Sequence, residues 1–142
     1  MLMSRKHKKT AWVSKGNTVE KPWGYEIVWS GFTGVHGKTL YIRKGERTSF
    51  KYNTQKNETL FLLKGKALAT FGNEYSLKEP GPSNPIEQKE MTEGDVLHVQ
   101  SGCPYRIEAI EDCEIVEVGD SLRSNSVRVE DDYGRCPKES DK

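Results

Sequence analysis

Between Gly45 and Gly65 the chain reads GERTSFKYNTQKNETLFLLKG, which has the spacing of a metal-binding box. No histidine stands at either of the two positions where such a box would place one; Lys51 and Asn53 occupy them, with Gln55 and Glu58 following. Imidazole binds a metal through a neutral lone pair, whereas an ammonium has none and repels the cation. Lys51 therefore argues against a metal more strongly than an empty position would. The stretch poses a choice between a metal enzyme, an enzyme that works without its metal, and a protein that keeps only the scaffold.

The elements that must position these residues are short strands. TLYIRKG, ETLFLLKGKALATFG, GDVLHVQSG, YRIEAI and CEIVEVG are rich in β-branched, aromatic and aliphatic residues and are separated by glycine-marked turns. Ala67, Ala69 and Phe71 alternate with Lys66, Leu68 and Thr70, a period-2 pattern, and none of the runs sustains a helical period. A small all-β chain must hide its sheet edges, so a closed or double-sheet architecture is expected. NEYSLKEPGPSNPIEQKE carries Pro80, Pro82 and Pro85, none suited to a central strand, and is expected as an exposed loop between two halves of a barrel.

Composition narrows the function classes. The 142 residues suffice for one domain, and 22 basic against 21 acidic residues give no overall field for nucleic acid or an anionic membrane. Three cysteines, Cys103, Cys113 and Cys136, form no CxxC pair. Neither a disulfide framework nor a cysteine zinc site follows, and a reducing cytoplasm is the expected compartment. No apolar run approaches the ~18 residues of a membrane span, and the N-terminus lacks a signal-peptide h-region, so a soluble, unexported protein is expected. Residues 1–18 form a basic, weakly patterned arm, expected to be flexible.

The spacing Gly45, Lys51, Asn53, Glu58, Gly65 resembles the first cupin motif, G-x5-H-x-H-x4-E-x6-G. Gly94, Gln100, Gly102, Tyr105 and Ala109 fall on the second, G-x5-P-x-G-x2-H-x3-N. VEKPWGYE, Val19 to Glu26, and VRVEDDYGR, Val127 to Arg135, resemble the opening and closing signatures of the small type II phosphomannose-isomerase group, also seen as the C-terminal domain of mannose-1-phosphate guanylyltransferases. The resemblance implies an all-β cupin jelly-roll barrel, a double-stranded β-helix over residues 19–135, followed by a tail over 136–142. It also implies a metal held at the positions that are Lys51, Asn53, Glu58 and Tyr105 here. Only Glu58 is a usual ligand; Tyr105 would have to bind as a phenolate, against a reference pKa of about 10. No bound metal and no cofactor are therefore expected.

The resemblance also implies chemistry on a sugar phosphate or nucleotide sugar. Aldose-to-ketose isomerisation needs a base for the carbon acid and an electrophile for the developing oxyanion. Lys51 is the candidate electrophile, Glu58 the proton shuttle and Tyr105 the acid at the other oxygen. If Lys51 points inward, a Lys51 and Glu58 pair would replace the metal; if it points to solvent, the cavity is degenerate. Asn53 and Gln55 are candidates to hydrogen-bond the pair or the substrate. Lys21 and Arg135 are either phosphate ligands or parts of an ion-pair latch joining the two ends of the domain. His36 and His98 read as ordinary strand or loop residues, and Cys103 as a bystander thiol. The alternative to an isomerase is a non-catalytic carbohydrate-binding or accessory cupin, and pairing into a homodimer is an expectation of either reading.

Overall fold

Eleven strands and no helix build the described part of the chain. The computed structural model describes residues 9–30, 34–120 and 125–136. The strands are β1 (Asn17–Lys21), β2 (Gly24–Ser30), β3 (His36–Ile42), β4 (Phe50–Asn53), β5 (Glu58–Lys64), β6 (Ala67–Phe71), β7 (Glu87–Met91), β8 (Val96–Val99), β9 (Tyr105–Ala109), β10 (Cys113–Gly119) and β11 (Ser126–Glu130). They form two antiparallel sheets, one in the order β1-β2-β3-β10-β5-β8 and the other β11-β4-β9-β6-β7. This is the double-sheet all-β architecture that the strand pattern predicts, in the jelly-roll form that the resemblance implies.

Alternation decides what faces inward. On β10, Cys113, Ile115 and Glu117 are buried while Glu114 and Val116 are less so. The inner faces of both sheets meet in a core that includes Leu40, Ile42, Leu60, Leu62, Ile107 and Ile115. Across the second sheet, register places Arg128 beside Lys51, Lys51 beside Tyr105, and Tyr105 beside Phe71. Directly paired residues share a face. Across the first sheet Glu117 stands between Lys38 and Leu60. Two rows of inward residues, one from each sheet, thus approach one another near one end of the barrel.

The first hairpin fixes that end. β1 pairs with β2 from Asn17↔Val28 to Lys21↔Gly24, with Pro22 and Trp23 as its turn and the Trp23 side chain buried. A Cβ at Gly24 would lie 1.9 Å from the carbonyl oxygen of Tyr41, so only glycine lets β2 approach β3 this closely. β1 begins at Asn17, inside the segment expected as an arm; residues 1–8 and 137–142, the outer parts of the arm and tail, lie outside the described residues.

The proline-bearing stretch departs from expectation at its C-terminal end. Pro80, Pro82 and Pro85 lie outside the strands, but Glu87–Met91 pairs with β6 as an edge strand. Its first four residues, Glu87 to Glu90, are all exposed, so it carries no apolar alternation to read. Charge on an edge strand discourages further pairing. No helix among the described residues is long and apolar enough to cross a membrane.

Leu62 is fully buried between the sheets. Leu62→Ala should lower unfolding stability by about 2–5 kcal/mol, the usual cost of emptying a leucine site that cannot collapse. Urea melts of the variant and the parent check this.

Candidate functional site

Glu58 opens β5 with its side chain inside the barrel, 4% exposed. Its Oε1 accepts hydrogen bonds from Asn53 Nδ2 at 2.7 Å and from the Tyr105 hydroxyl at 2.7 Å. Lys56 Nζ stands 3.3 Å from its Oε2. Asn53 ends β4 and Tyr105 begins β9, so three strands deliver these groups to one carboxyl.

The Glu58 carboxyl also touches that of Glu117 in a hydrogen-bonding contact. Glu117 is 2% exposed, on β10, and His36 Nε2 lies 2.7 Å from its Oε2. Lys38 Nζ is 3.9 Å from the same oxygen and 2.9 Å from Glu26, which Lys21 also approaches at 3.7 Å. Two touching carboxyls cannot both ionise cheaply in a buried site. Burial, followed by the Glu117 charge and hydrogen bond, pushes the Glu58 carboxyl up. For Glu117 burial acts upward too, but the His36 contact, Lys38, Glu58 and Lys51 overcome it and hold the group below the ordinary carboxylate range. Of the two, Glu58 is the member pushed up and Glu117 the member held down.

Lys51 lines the barrel cavity, the inward alternative of the two that its motif position left open. No carboxylate among the described residues is within ion-pair distance of it, and the ion pair to Glu58 is made by Lys56. The expected Lys51 and Glu58 pair is corrected accordingly: cations do surround the acids, but they come from other positions. Burial lowers the Lys51 pKa, with Glu117 acting against it and Lys38 reinforcing it.

The cavity has a volume of ≈ 40 Å³. Lys21, Lys38, Lys51, Arg128 and Arg135 contribute to its lining, against the acids Glu26 and Glu117. Arg135 is also committed elsewhere, with Nη2 2.8 Å from Asp131 Oδ1, its backbone N–H on Asp131 Oδ2, and its guanidinium 5.5 Å from the Tyr133 ring centre. Gln55 lies exposed in the bend between β4 and β5, away from the cavity lining. His98 is exposed on β8. Burial raises the thiol of Cys103, consistent with a bystander.

The motif positions do not form a fitting metal set. Tyr105 and Asn53 both turn hydrogens toward Glu58, the Lys51 ammonium lines the same cavity, and burial, then Glu117 and Glu58, hold the tyrosine hydroxyl well above its usual pKa. A different trio, His36, Glu58 and Glu117, brings one ligand atom each within 4.8 Å of the others. Sequence reading missed His36, Glu117 and Lys38. The signal was there in part: Glu117 follows Cys113 and Ile115 at the inward parity of β10, and Lys38 precedes Leu40 and Ile42 at that of β3. A charged residue on the core-facing parity of a strand marks an internal site.

No known family profile and no curated protein matches the sequence. Solved structures do match in fold. They include CapF with the inhibitor 3-isopropenyl-tropolone, at TM-score 0.68 and 12% identity over 84% of this chain and 36% of that one. The vicilin of Capsicum annuum matches at TM-score 0.67 and 15% identity over 86% and 38%, and the 7S globulin of Momordica charantia at 0.66 and 13% over 86% and 38%. The chain thus spans well under half the length of these structures. At such identity the likeness establishes the fold, a cupin jelly roll.

The depressed Glu117 carboxyl gives a signed expectation. Its stabilisation is complete above the ordinary carboxylate range and is lost as pH falls toward its lower folded pKa. Glu117→Gln should cost about 3–5 kcal/mol near neutrality, because it strips a buried partner from Lys38 and His36. The difference from the parent should shrink on acidification, measured by denaturant melts from pH 7 downward.

Proposed function

We propose that the protein is a phosphomannose-isomerase-like cupin that binds a sugar phosphate or nucleotide sugar at the barrel mouth and interconverts aldose and ketose forms without a metal at the motif positions. The observation that carries this reading is the cationic lining, five basic side chains against two acids, beside the hydrogen-bonded Glu58 and Tyr105. Ligand pockets commonly measure about 300–1,000 Å³, so a cavity of ≈ 40 Å³ admits an anionic group or a few waters and leaves the rest of the ligand outside. Arg128, exposed on β11, and the half-buried Lys21 and Arg135 are the groups that meet that outer part.

The chemistry is a proton transfer between neighbouring carbons. Glu58 takes the proton from the carbon next to the carbonyl and returns it to the other carbon, so the carboxyl ends as it began. Lys51 stabilises the oxyanion of the enediol, and the Tyr105 hydroxyl gives a proton to that oxygen as it becomes a hydroxyl and recovers one from the neighbouring hydroxyl as it becomes the new carbonyl. Asn53, which donates to Glu58, orients the carboxyl.

A second reading, carbohydrate binding without turnover, draws on a different place. Tyr25 and Tyr41 stack with ring centres 4.6 Å apart on the outer face of the first sheet, beside a hollow of ≈ 380 Å³. Exposed aromatic faces suit the apolar face of a sugar ring.

Incubation with mannose 6-phosphate, fructose 6-phosphate and nucleotide sugars in heavy water tests the proposal. Deuterium should enter at carbon, and Glu58→Gln should lower the rate by about 10²–10⁴-fold, the range for loss of a general base. Lys51→Met and Tyr105→Phe should lower it as well. Ligand binding with no deuterium entry overturns the isomerase reading, and its loss in Tyr25→Ala supports the second one.

A further inference from the structure

His36, Glu58 and Glu117 come from β3, β5 and β10, yet their ligand atoms lie within 4.8 Å of one another inside the barrel. A cation bonded to nitrogen and carboxylate oxygen at about 2.0–2.2 Å needs its ligand atoms about 3–4 Å apart, so the trio closes on such an ion with side-chain shifts of about an ångström. Two carboxyls in contact also demand something positive between them. A proton satisfies that demand for the pair alone; the imidazole nitrogen 2.7 Å from Glu117 turns the pair into a three-ligand set. The outer oxygen of Glu58 is already oriented by Asn53 and Tyr105 at 2.7 Å each, which is how ligating carboxylates are usually held.

We propose that His36, Glu58 and Glu117 form a divalent transition-metal site, distinct from the motif positions. One imidazole with two carboxylates suits Zn²⁺, Fe²⁺ or Mn²⁺ better than Mg²⁺ or Ca²⁺, which prefer all-oxygen shells. The expected absence of a metal rested on Lys51, Asn53 and Tyr105; only Glu58 is common to both sets. Charge works partly against the site. Lys56 stands 3.3 Å from Glu58, Lys38 stands 3.9 Å from Glu117, and Lys51 lines the adjoining cavity. Lys38 is held more closely by Glu26 at 2.9 Å, which leaves Lys56 as the principal competitor for the Glu58 oxygen. Affinity should therefore be limited by a nearby ammonium, and that gives the test a sign.

The inference uses one carboxyl of the proposed isomerase site, Glu58, but not its chemistry, so it is measured with no sugar present. Chelator-stripped protein is titrated with Mn²⁺, following the free-ion paramagnetic resonance signal, and with Zn²⁺ by calorimetry. One ion per chain is expected. His36→Ala and Glu117→Gln should each weaken binding at least tenfold, whereas Lys56→Gln should tighten it severalfold. His36→Ala changes a group near the surface, its side chain 14% exposed, and parent-like circular dichroism should certify its fold. Lys56→Gln gives an independent reading if Glu117→Gln does not fold. No uptake of either ion at millimolar concentration, or uptake indifferent to His36→Ala and Lys56→Gln, overturns the site. Deuterium exchange into sugars under those outcomes would leave the isomerase reading standing.

Discussion

The contact between Glu58 and Glu117 is the constraint to which the rest of the barrel interior answers. Two acids in a space closed to water are costly unless donors and positive charges surround them. The fold supplies these from every side: His36 and Lys38 from β3, Asn53 from the end of β4, Tyr105 from β9, and Lys56 from the turn before β5. The acids thus draw their partners from β3, β4, β9 and the turn before β5. Packing among Leu40, Leu60 and Ile107 holds the sheets together, while the acids take their partners from strands of both sheets.

Strand identity was legible because alternation and glycine-marked turns survive in a single sequence. β5, β6 and β10 follow directly from their apolar residues, and Lys51 on the cavity wall answers a choice between inward and outward that its motif position had left open. β7 was hidden, since an edge strand with four exposed polar residues looks like a loop. The partner of Glu58 was hidden for another reason. Lys51 and Lys56 sit seven and two positions before it, and sequence spacing gives no ground for preferring the nearer one, at the turn, to the one on the strand. His36 and Glu117 meet across 81 positions, a distance that only the β3 and β10 register closes.

The closing signature turns out to be chiefly structural. Asp131 binds Arg135, Asp132 accepts from Arg47 Nη2 at 2.9 Å, and the Tyr133 hydroxyl donates to Glu46. Arg106, buried on β9, sends Nε to the carbonyl of Thr48 and stands 3.7 Å from Asp132. These bonds clamp the segment after β11 to Glu46 and Arg47 ahead of β4 and to Arg106 on β9, with Tyr133 packed against the core. They also keep Arg135 at the cavity wall, so the latch and the basic lining share one residue rather than compete for it.

That arrangement has a consequence for a shortened chain. The cavity wall draws on Lys21 from the first hairpin and on Arg128 and Arg135 beyond the last inner strand. A chain cut off before β11 still holds β2 through β10, with their acids and lysines. What it loses is part of the positive lining: removal of residues 126–135 takes both arginines from the wall and leaves Lys21, Lys38 and Lys51 to face Glu26 and Glu117.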